Sequence, residues 1–224
     1  MLSDFIALIF PESCAACHQT LLKNEETLCT SCILNLPKTN YWKTKDNPVN
    51  KIFWGRIPVE NACSFYQFTK GGKVQQLLHQ LKYKGNKNVG LLTGKLFGTE
   101  LKNSPYIEVD AIIPVPLHLS KITKRGYNQS EVIALGLSET MQKPVKTNWL
   151  IRKYDSETQT KKSRFKRWEN VKEIFATENE NEFEGKHILI VDDVVTTGAT
   201  IEACAQLLIK VKDVKISIVA LASA

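Results

Sequence analysis

No stretch of this chain approaches the roughly 20 consecutive apolar residues that a membrane-spanning helix requires. The opening MLSDFIALIFP is apolar but short, with neither a basic lead nor a small-residue cleavage site. It therefore reads as a packing helix and not as a secretory leader. The expectation is a cytoplasmic protein without membrane insertion. Aromatic residues make up only 8% of the sequence, which leaves few stacking platforms for a dedicated single-strand binder. The basic run near residue 165 offers just Phe165 and Trp168. The GxxxxGK(S/T) spacing of a P-loop is absent together with its lysine, and no helix-turn-helix pattern is evident. These gaps argue against a P-loop nucleotidase and against a pure transcriptional regulator.

The chain does have enough apolar content for a core. Of its 224 residues, 43% are hydrophobic and 24% charged, which suits one α/β domain with a small module attached. The net charge of +7 suits anionic partners, either phosphate metabolites or nucleic acid, without choosing between them.

Four of the six cysteines, Cys14, Cys17, Cys29 and Cys32, form two CxxC pairs separated by eleven residues. Each pair places two thiolates on one tight turn, and two such turns make a tetrahedral S₄ site. The segment between them is polar and too small for a core of its own, so metal binding contributes folding energy directly. A structural Zn²⁺ fits best, with an iron–sulfur centre as the lesser alternative. Such a ribbon serves as a structural clip or as a contact for DNA or a partner, and the sequence leaves both open. Cys63 and Cys204 stand alone; Cys204 falls in an apolar helical pattern and reads as a packed thiol.

The run HILIVDDVVTTGAT, residues 187–200, is the most informative segment. Residues 188–191 form an uninterrupted aliphatic run, as a buried parallel strand requires. The chain is expected to turn at Asp192 and Asp193. Thr196, Thr197 and Gly198 then gather backbone N–H groups and hydroxyls at the head of a helix, which favours phosphate. Carboxylates repel a phosphate but hold vicinal hydroxyls or a divalent cation. The economical ligand is a sugar with a phosphate at one end and hydroxyls in the middle.

Elsewhere, residues 33–60 look like a connector punctuated by Pro37, Asn47, Pro48, Gly55 and Pro58. A strand is expected over residues 62–68 and helices over 74–83 and 89–101. Lys82 and Lys84 suit the C-terminal end of the first of these helices. A strand over 111–115 runs into IPVPLHLSKITKRGYNQS, where His118, Lys121, Lys124 and Arg125 place cations beyond two prolines. A helix is expected from about residue 130. Residues 150–170 are polar and basic, with Lys161, Lys162, Arg164, Lys166 and Arg167, and read as an exposed segment of the kind a lid over a doubly phosphorylated substrate needs. A last strand is expected over 215–221.

Taken together, CAAC and CTSC, HQLKYKGN, the IIPVPLHLSKITKRGYNQSEVIA block, the series Arg152, Gln159, Arg167, Asn170 and Val171, and LIVDDVVTTGAT resemble the ComF (competence protein F) family over nearly the whole chain. The VDDVVTTGAT turn itself is similar to the PRPP-binding loop of type I phosphoribosyltransferases, PRPP being 5-phosphoribosyl 1-pyrophosphate. The chain departs from the family's usual pattern at Ser156, at Lys162 and near Val211 and Lys212, where a glycine usually precedes the last strand.

The resemblance implies a type I phosphoribosyltransferase-like α/β fold, a parallel sheet flanked by helices, with a small N-terminal Cys₄ zinc ribbon. Residues 1–40 would be the ribbon with its leading helix, 41–60 a connector, and 61–224 the phosphoribosyltransferase-like domain. Asp192 and Asp193 would face the ribose hydroxyls, while Val195, Thr196, Thr197, Gly198, Ala199 and Thr200 would wrap the 5′-phosphate. The implied reaction is phosphoribosyl transfer from PRPP to an amine or base nitrogen, with Mg²⁺ between pyrophosphate and ribose oxygens. Lys121 or Arg125 would meet the pyrophosphate and a cation such as Arg164 would close above it. The rival implication is a non-catalytic sensor of PRPP or a nucleotide that works in natural transformation. The implied partners are single-stranded DNA, a DNA-uptake helicase near the membrane and a second copy of the chain. The acceptor stays open.

Overall fold

The computed structural model describes residues 12–154 and 174–224. The proposed leading helix, the lid cations including Arg164, and Ser156, Gln159, Lys162, Arg167, Asn170 and Val171 lie outside the described residues.

The chain enters through the cysteine module, a tight turn closed by a Ser13–Thr20 bridge followed by α1 (Thr30–Asn35). Residues 33–60, expected as a plain connector, carry ordered structure. They include a 3₁₀ turn at Tyr41–Lys43 and a short helix, α2 (Pro48–Ile52). Asn47 caps α2, accepting from the backbone N–H groups of Val49 and Asn50, while its Nδ2 donates to the carbonyls of Thr44 and Ala62, each at 2.9 Å. One buried amide thus ties the segment to the first strand.

Next come β1 (Asn61–Gln67), α3 (Lys73–Tyr83), α4 (Lys87–Leu101), β2 (Ala111–Pro114), α5 (Leu119–Arg125), α6 (Gln129–Met141), β3 (Leu150–Arg152), β4 (Phe175–Thr177), β5 (His187–Val195), α7 (Ala199–Leu208) and β6 (Lys215–Ser223). The four strands β1, β6, β5 and β2 form one sheet in that order, with every pairing parallel. Helices cover both faces, which is why the central strands read as continuous aliphatic runs. Leu189 and Val191 of β5 face one core with Leu81, Phe97 and Ile133; Ile188 and Ile190 face the other with Phe53, Ile201 and Leu208. The period of two in a strand sends alternate residues to the two layers.

The outer edge of β1 is capped by residues 37–39: Thr39 N–H donates to Phe65 O and Gln67 N–H to Pro37 O, both at 2.9 Å. The edge is thereby closed to other strands. Helices α4 and α6 cross where both are glycine. A Cβ on Gly136 would lie 2.3 Å from Leu91 O, and one on Gly94 would lie 2.4 Å from Ile133 O.

Three expectations change. The basic stretch after the prolines is not a bare loop: it contains α5, capped by His118, whose Nδ1 accepts from Ser120 N–H at 3.2 Å, and ended by Gly126 at φ +83°. Leu150–Arg152, read as the start of an exposed polar segment, pairs antiparallel with Phe175–Thr177, with Leu150 buried. And β5 does not turn at the acidic pair but continues to Val195, because Asp192, Val194 and Val195 keep register with Ala220, Ala222 and Ser223 of β6. Among the described residues no helix is long and apolar enough to cross a membrane.

Candidate functional site

The C-terminal end of β5 carries Asp192 and Asp193, and the chain turns only at Thr196–Gly198. Consecutive strand residues diverge, and the two carboxylates accordingly meet different partners. Asp192 lines a shallow cavity completed by the unbroken run from Val194 to Ile201. Asp193 forms an ion pair with Lys82 Nζ of α3 at 2.8 Å.

The loop's shape follows from Gly198, which sits at φ +73° and opens α7. A side chain there would also collide with the segment behind it, since a Cβ would stand 2.7 Å from Ile52 Cγ2 and 2.8 Å from Phe53 Cε1. Only glycine meets both demands. Thr197 Oγ1 accepts from the first N–H of α7, that of Ala199, at 3.5 Å, and the N–H groups that follow lie at the positive end of the helix, where an anion is favoured.

Asp192 is held tightly. Its Oδ1 accepts from Ser130 Oγ at 3.1 Å and from Asp193 N–H at 2.8 Å. Withdrawal from solvent, followed by the neighbouring Asp193 carboxylate, pushes its carboxyl up to about 7, against the opposing pull of those hydrogen bonds and Lys82. At neutral pH the group is poised between protonated and charged forms.

Ser130 is placed by Asn128, which caps α6 by accepting from Ser130 N–H and donates to Val115 O at 3.0 Å. The same turn is fastened to α3 by Tyr127, whose hydroxyl donates to Leu81 O. Four separated segments, PVPLH, RGYNQS, HQLKY and VDDVV, therefore converge on one end of the sheet. Lys82, read from sequence as a helix-end cation, is brought to the acidic pair. Only its place within the HQLKYKGN block hinted at this. Ser130, read as the start of a helix, is the other residue that sequence reasoning missed.

The expected pyrophosphate cations are not brought to this cavity. Lys121 and Arg125 lie on α5, and neither lines it. Arg125 instead donates to Gln129 Oε1 at 2.8 Å and lies over the ring of exposed Tyr83, 5.7 Å from its centroid.

Near the start of the chain, the sulfurs of Cys14, Cys17, Cys29 and Cys32 all lie within 4.8 Å of one another. The Cys17–Cys29 sulfurs are 3.7 Å apart, close to the edge of about 3.8 Å that a tetrahedron with 2.3 Å Zn–S bonds has. All four are free thiols. Cys29 N–H donates to Cys14 Sγ and Cys32 N–H to Cys29 Sγ, as metal-binding turns require. Burial raises the Cys14 thiol, but N–H groups of Cys29, Ala16 and Cys17 outweigh it and bring the thiol down to about 6. Burial and the neighbouring sulfurs push Cys32 up. His18, exposed and at φ +62°, takes no part in the cluster. The set is consistent with a structural zinc site.

Comparison with known proteins accords with this architecture. The phosphoribosyl transferase domain family matches residues 107–224, over half of the chain. A DNA utilization protein (YhgH) of Escherichia coli is 28% identical over 210 residues, covering 88% of this chain and 84% of the relative. Competence protein F of Haemophilus influenzae is 36% identical over 116 residues, 51% of each. Among solved structures, the glutamine PRPP amidotransferase of B. subtilis has a TM-score of 0.43 at 19% identity, covering 62% of this chain and 30% of that enzyme. The chain belongs to the phosphoribosyl transferase domain family and is a homologue of the competence proteins, carrying a four-cysteine cluster ahead of the parallel sheet.

Proposed function

We propose that this protein binds PRPP or a closely related phosphoribosyl metabolite at the end of β5. The observation that carries the reading is the cavity itself, with a carboxylate at one side and the backbone of residues 194–201 around the rest. The 5′-phosphate sits against Thr196, Thr197, Gly198, Ala199 and Thr200, beside Val195, at the head of α7. Asp192 and Asp193 take the ribose hydroxyls, and Lys82 neutralises Asp193 until the ligand arrives. Mg²⁺, a hard ion suited to oxygen donors, would come with the diphosphate and offset its charge. In the catalytic form of the reading, an acceptor nitrogen bonds to the ribose carbon as the carbon–oxygen bond to pyrophosphate breaks. The chain's part is to position the ring and neutralise the leaving group. Lys121 and Arg125 of α5 and Arg164 are the cations proposed for that second task. Zn²⁺ in the Cys₄ cluster is the proposed structural metal.

The test is calorimetric titration with PRPP and Mg²⁺ of the zinc-loaded protein and of an Asp192→Asn/Asp193→Asn variant. Binding of the unmodified protein, lost in the variant, supports the reading; equal binding by both removes it. Pyrophosphate release measured against a panel of bases, amines and DNA then identifies the acceptor.

A second reading is favoured by the naming of relatives for DNA utilization and competence. In it the pocket senses the metabolite while the protein, in the cytoplasm beside the uptake machinery, handles single-stranded DNA or a helicase, alone or as a dimer. The net charge of +7 supports it. Salt-sensitive binding to single strands without pyrophosphate release is the result it requires.

A further inference from the structure

Arg56 lies outside the residues matched to the transferase family, in the segment between α2 and β1. Its guanidinium nevertheless reaches the candidate phosphate loop. One terminal nitrogen, Nη1, donates to Thr197 O at 2.8 Å and to Ile52 O at 3.0 Å. The other, Nη2, makes a salt bridge with Glu202 Oε2 in the first turn of α7. Ile52 and Phe53, from the same segment, fill the space that a side chain on Gly198 would need. The loop is therefore held from behind at three successive points: its carbonyl at residue 197, its glycine at 198 and the helix turn that follows.

Two physical consequences follow from this geometry. A carbonyl pinned toward Arg56 is kept from turning toward the cavity, where its negative end would oppose an anion. Glu202 is itself a problem for an anion site: a carboxylate in the first turn competes for the positive end of the helix. Arg56 neutralises that carboxylate, whose other oxygen accepts from Gln206 Nε2 at 3.2 Å. The planar fork of arginine serves a carbonyl and a carboxylate together, which the point charge of lysine does not reproduce.

We propose that Arg56 is a positioning residue for the anion loop: it fixes the Thr197 peptide and cancels the charge of Glu202, so that a sugar phosphate binds at the head of α7. The inference rests on the phosphoribosyl reading above.

Calorimetry on the full zinc-loaded chain tests it, with ribose 5-phosphate and PRPP as probes. Arg56→Ala should weaken both at least tenfold. Arg56→Ala/Glu202→Gln should recover part of that loss, because the uncancelled carboxylate is gone; a merely structural arginine would give no such rescue. Arg56→Lys should weaken binding of both probes more than twofold but less than Arg56→Ala does, with a melting temperature close to that of the unmodified protein, which keeps the test open should Arg56→Ala fold poorly. Binding by Arg56→Ala or Arg56→Lys within twofold of the unmodified protein overturns the proposal, as does a double variant no better than Arg56→Ala. The two readings fail differently: an unmodified protein that binds neither probe removes the phosphoribosyl reading, whereas binding that is indifferent to Arg56 removes only this one.

Discussion

Asp192 is a carboxylate held in a place that disfavours its charge. Its carboxyl stands near 7 in the fold against 3.8 in the free side chain, raised first by loss of solvent and then by Asp193. Between those values the folded chain keeps a proton that the unfolded chain has released. The stabilisation is full below about pH 4 and is lost as pH rises through 7. Asp192→Asn removes this penalty while keeping an oxygen for Ser130. Its stability gain over the unmodified protein should therefore grow from pH 5 to pH 8, reaching about 1–3 kcal/mol in urea denaturation of the ligand-free protein. A gain that is flat with pH would contradict the burial argument. Lys82 is the complementary case. Its side chain is 24% exposed and that of Asp193 is 14% exposed, so removing the ammonium leaves a largely desolvated carboxylate alone. Lys82→Ala should cost about 1–3 kcal/mol by the same measurement, well above the value of an exposed pair. Lys82→Ala/Asp193→Asn should recover most of it. At the same scale, Asp213 sits at φ +57° two residues before β6, in the left-handed region that aspartate is one of the few residues besides glycine to tolerate.

At the scale of elements, what could be read from sequence was whatever a periodic pattern expresses. Val74, Leu77, Leu78 and Leu81 mark one face of α3 and are all buried. The aliphatic run at 188–191 marks a strand buried on both sides. Three features escaped because their causes lie outside the local pattern. Helix α5 has no buried residue and hence no apolar stripe; its signals are only a histidine cap and a glycine stop. The extension of β5 through two aspartates is imposed by pairing with β6, which overrides the low strand preference of aspartate. And the packing of residues 41–60 against the loop depends on contacts across more than 140 positions, such as Arg56 with Thr197. The α4–α6 crossing belongs here too. With backbone 2.3 Å from the place of a Gly136 Cβ, Gly136→Ala must move one helix off the other. It should cost about 1–3 kcal/mol in denaturant unfolding. Because α6 also presents Ser130 to Asp192, it should weaken PRPP binding as well, whereas a mere loss of stability would leave the affinity of the folded fraction unchanged.

Across the whole molecule, the cysteine module is wired into the sheet and not hung from it. Cys14, Cys29 and Cys32 share one apolar cluster with Leu36, Trp42, Phe65 and Phe97, and so with the helical layer over β5. Trp42 stands 5.7 Å from Phe65 and 5.9 Å from Phe97, while those two rings stack at 4.7 Å. Lys38, from the strip that caps β1, adds a 2.8 Å ion pair to Glu100 of α4. A metal held by the four sulfurs therefore supports more than its own two turns. Without it, burial opposes thiolate charge at Cys29 and Cys32, the four sulfurs lose the ion that joins the two turns, and the module should open and expose the aromatic joint. Removal of zinc by a chelator should lower the melting temperature by roughly 5–10 °C, given about 2–4 °C per kcal/mol for a chain of this size. Melting should remain a single transition, with tryptophan fluorescence and far-ultraviolet circular dichroism changing together. Two separate transitions, with an unchanged upper one, would mean that the cysteine module is an independent appendage and that the shared core gives it no hold on the sheet. A single lowered transition would make the metal part of what keeps β1, and through β6 the end of β5 and the turn at Thr196–Gly198, in place.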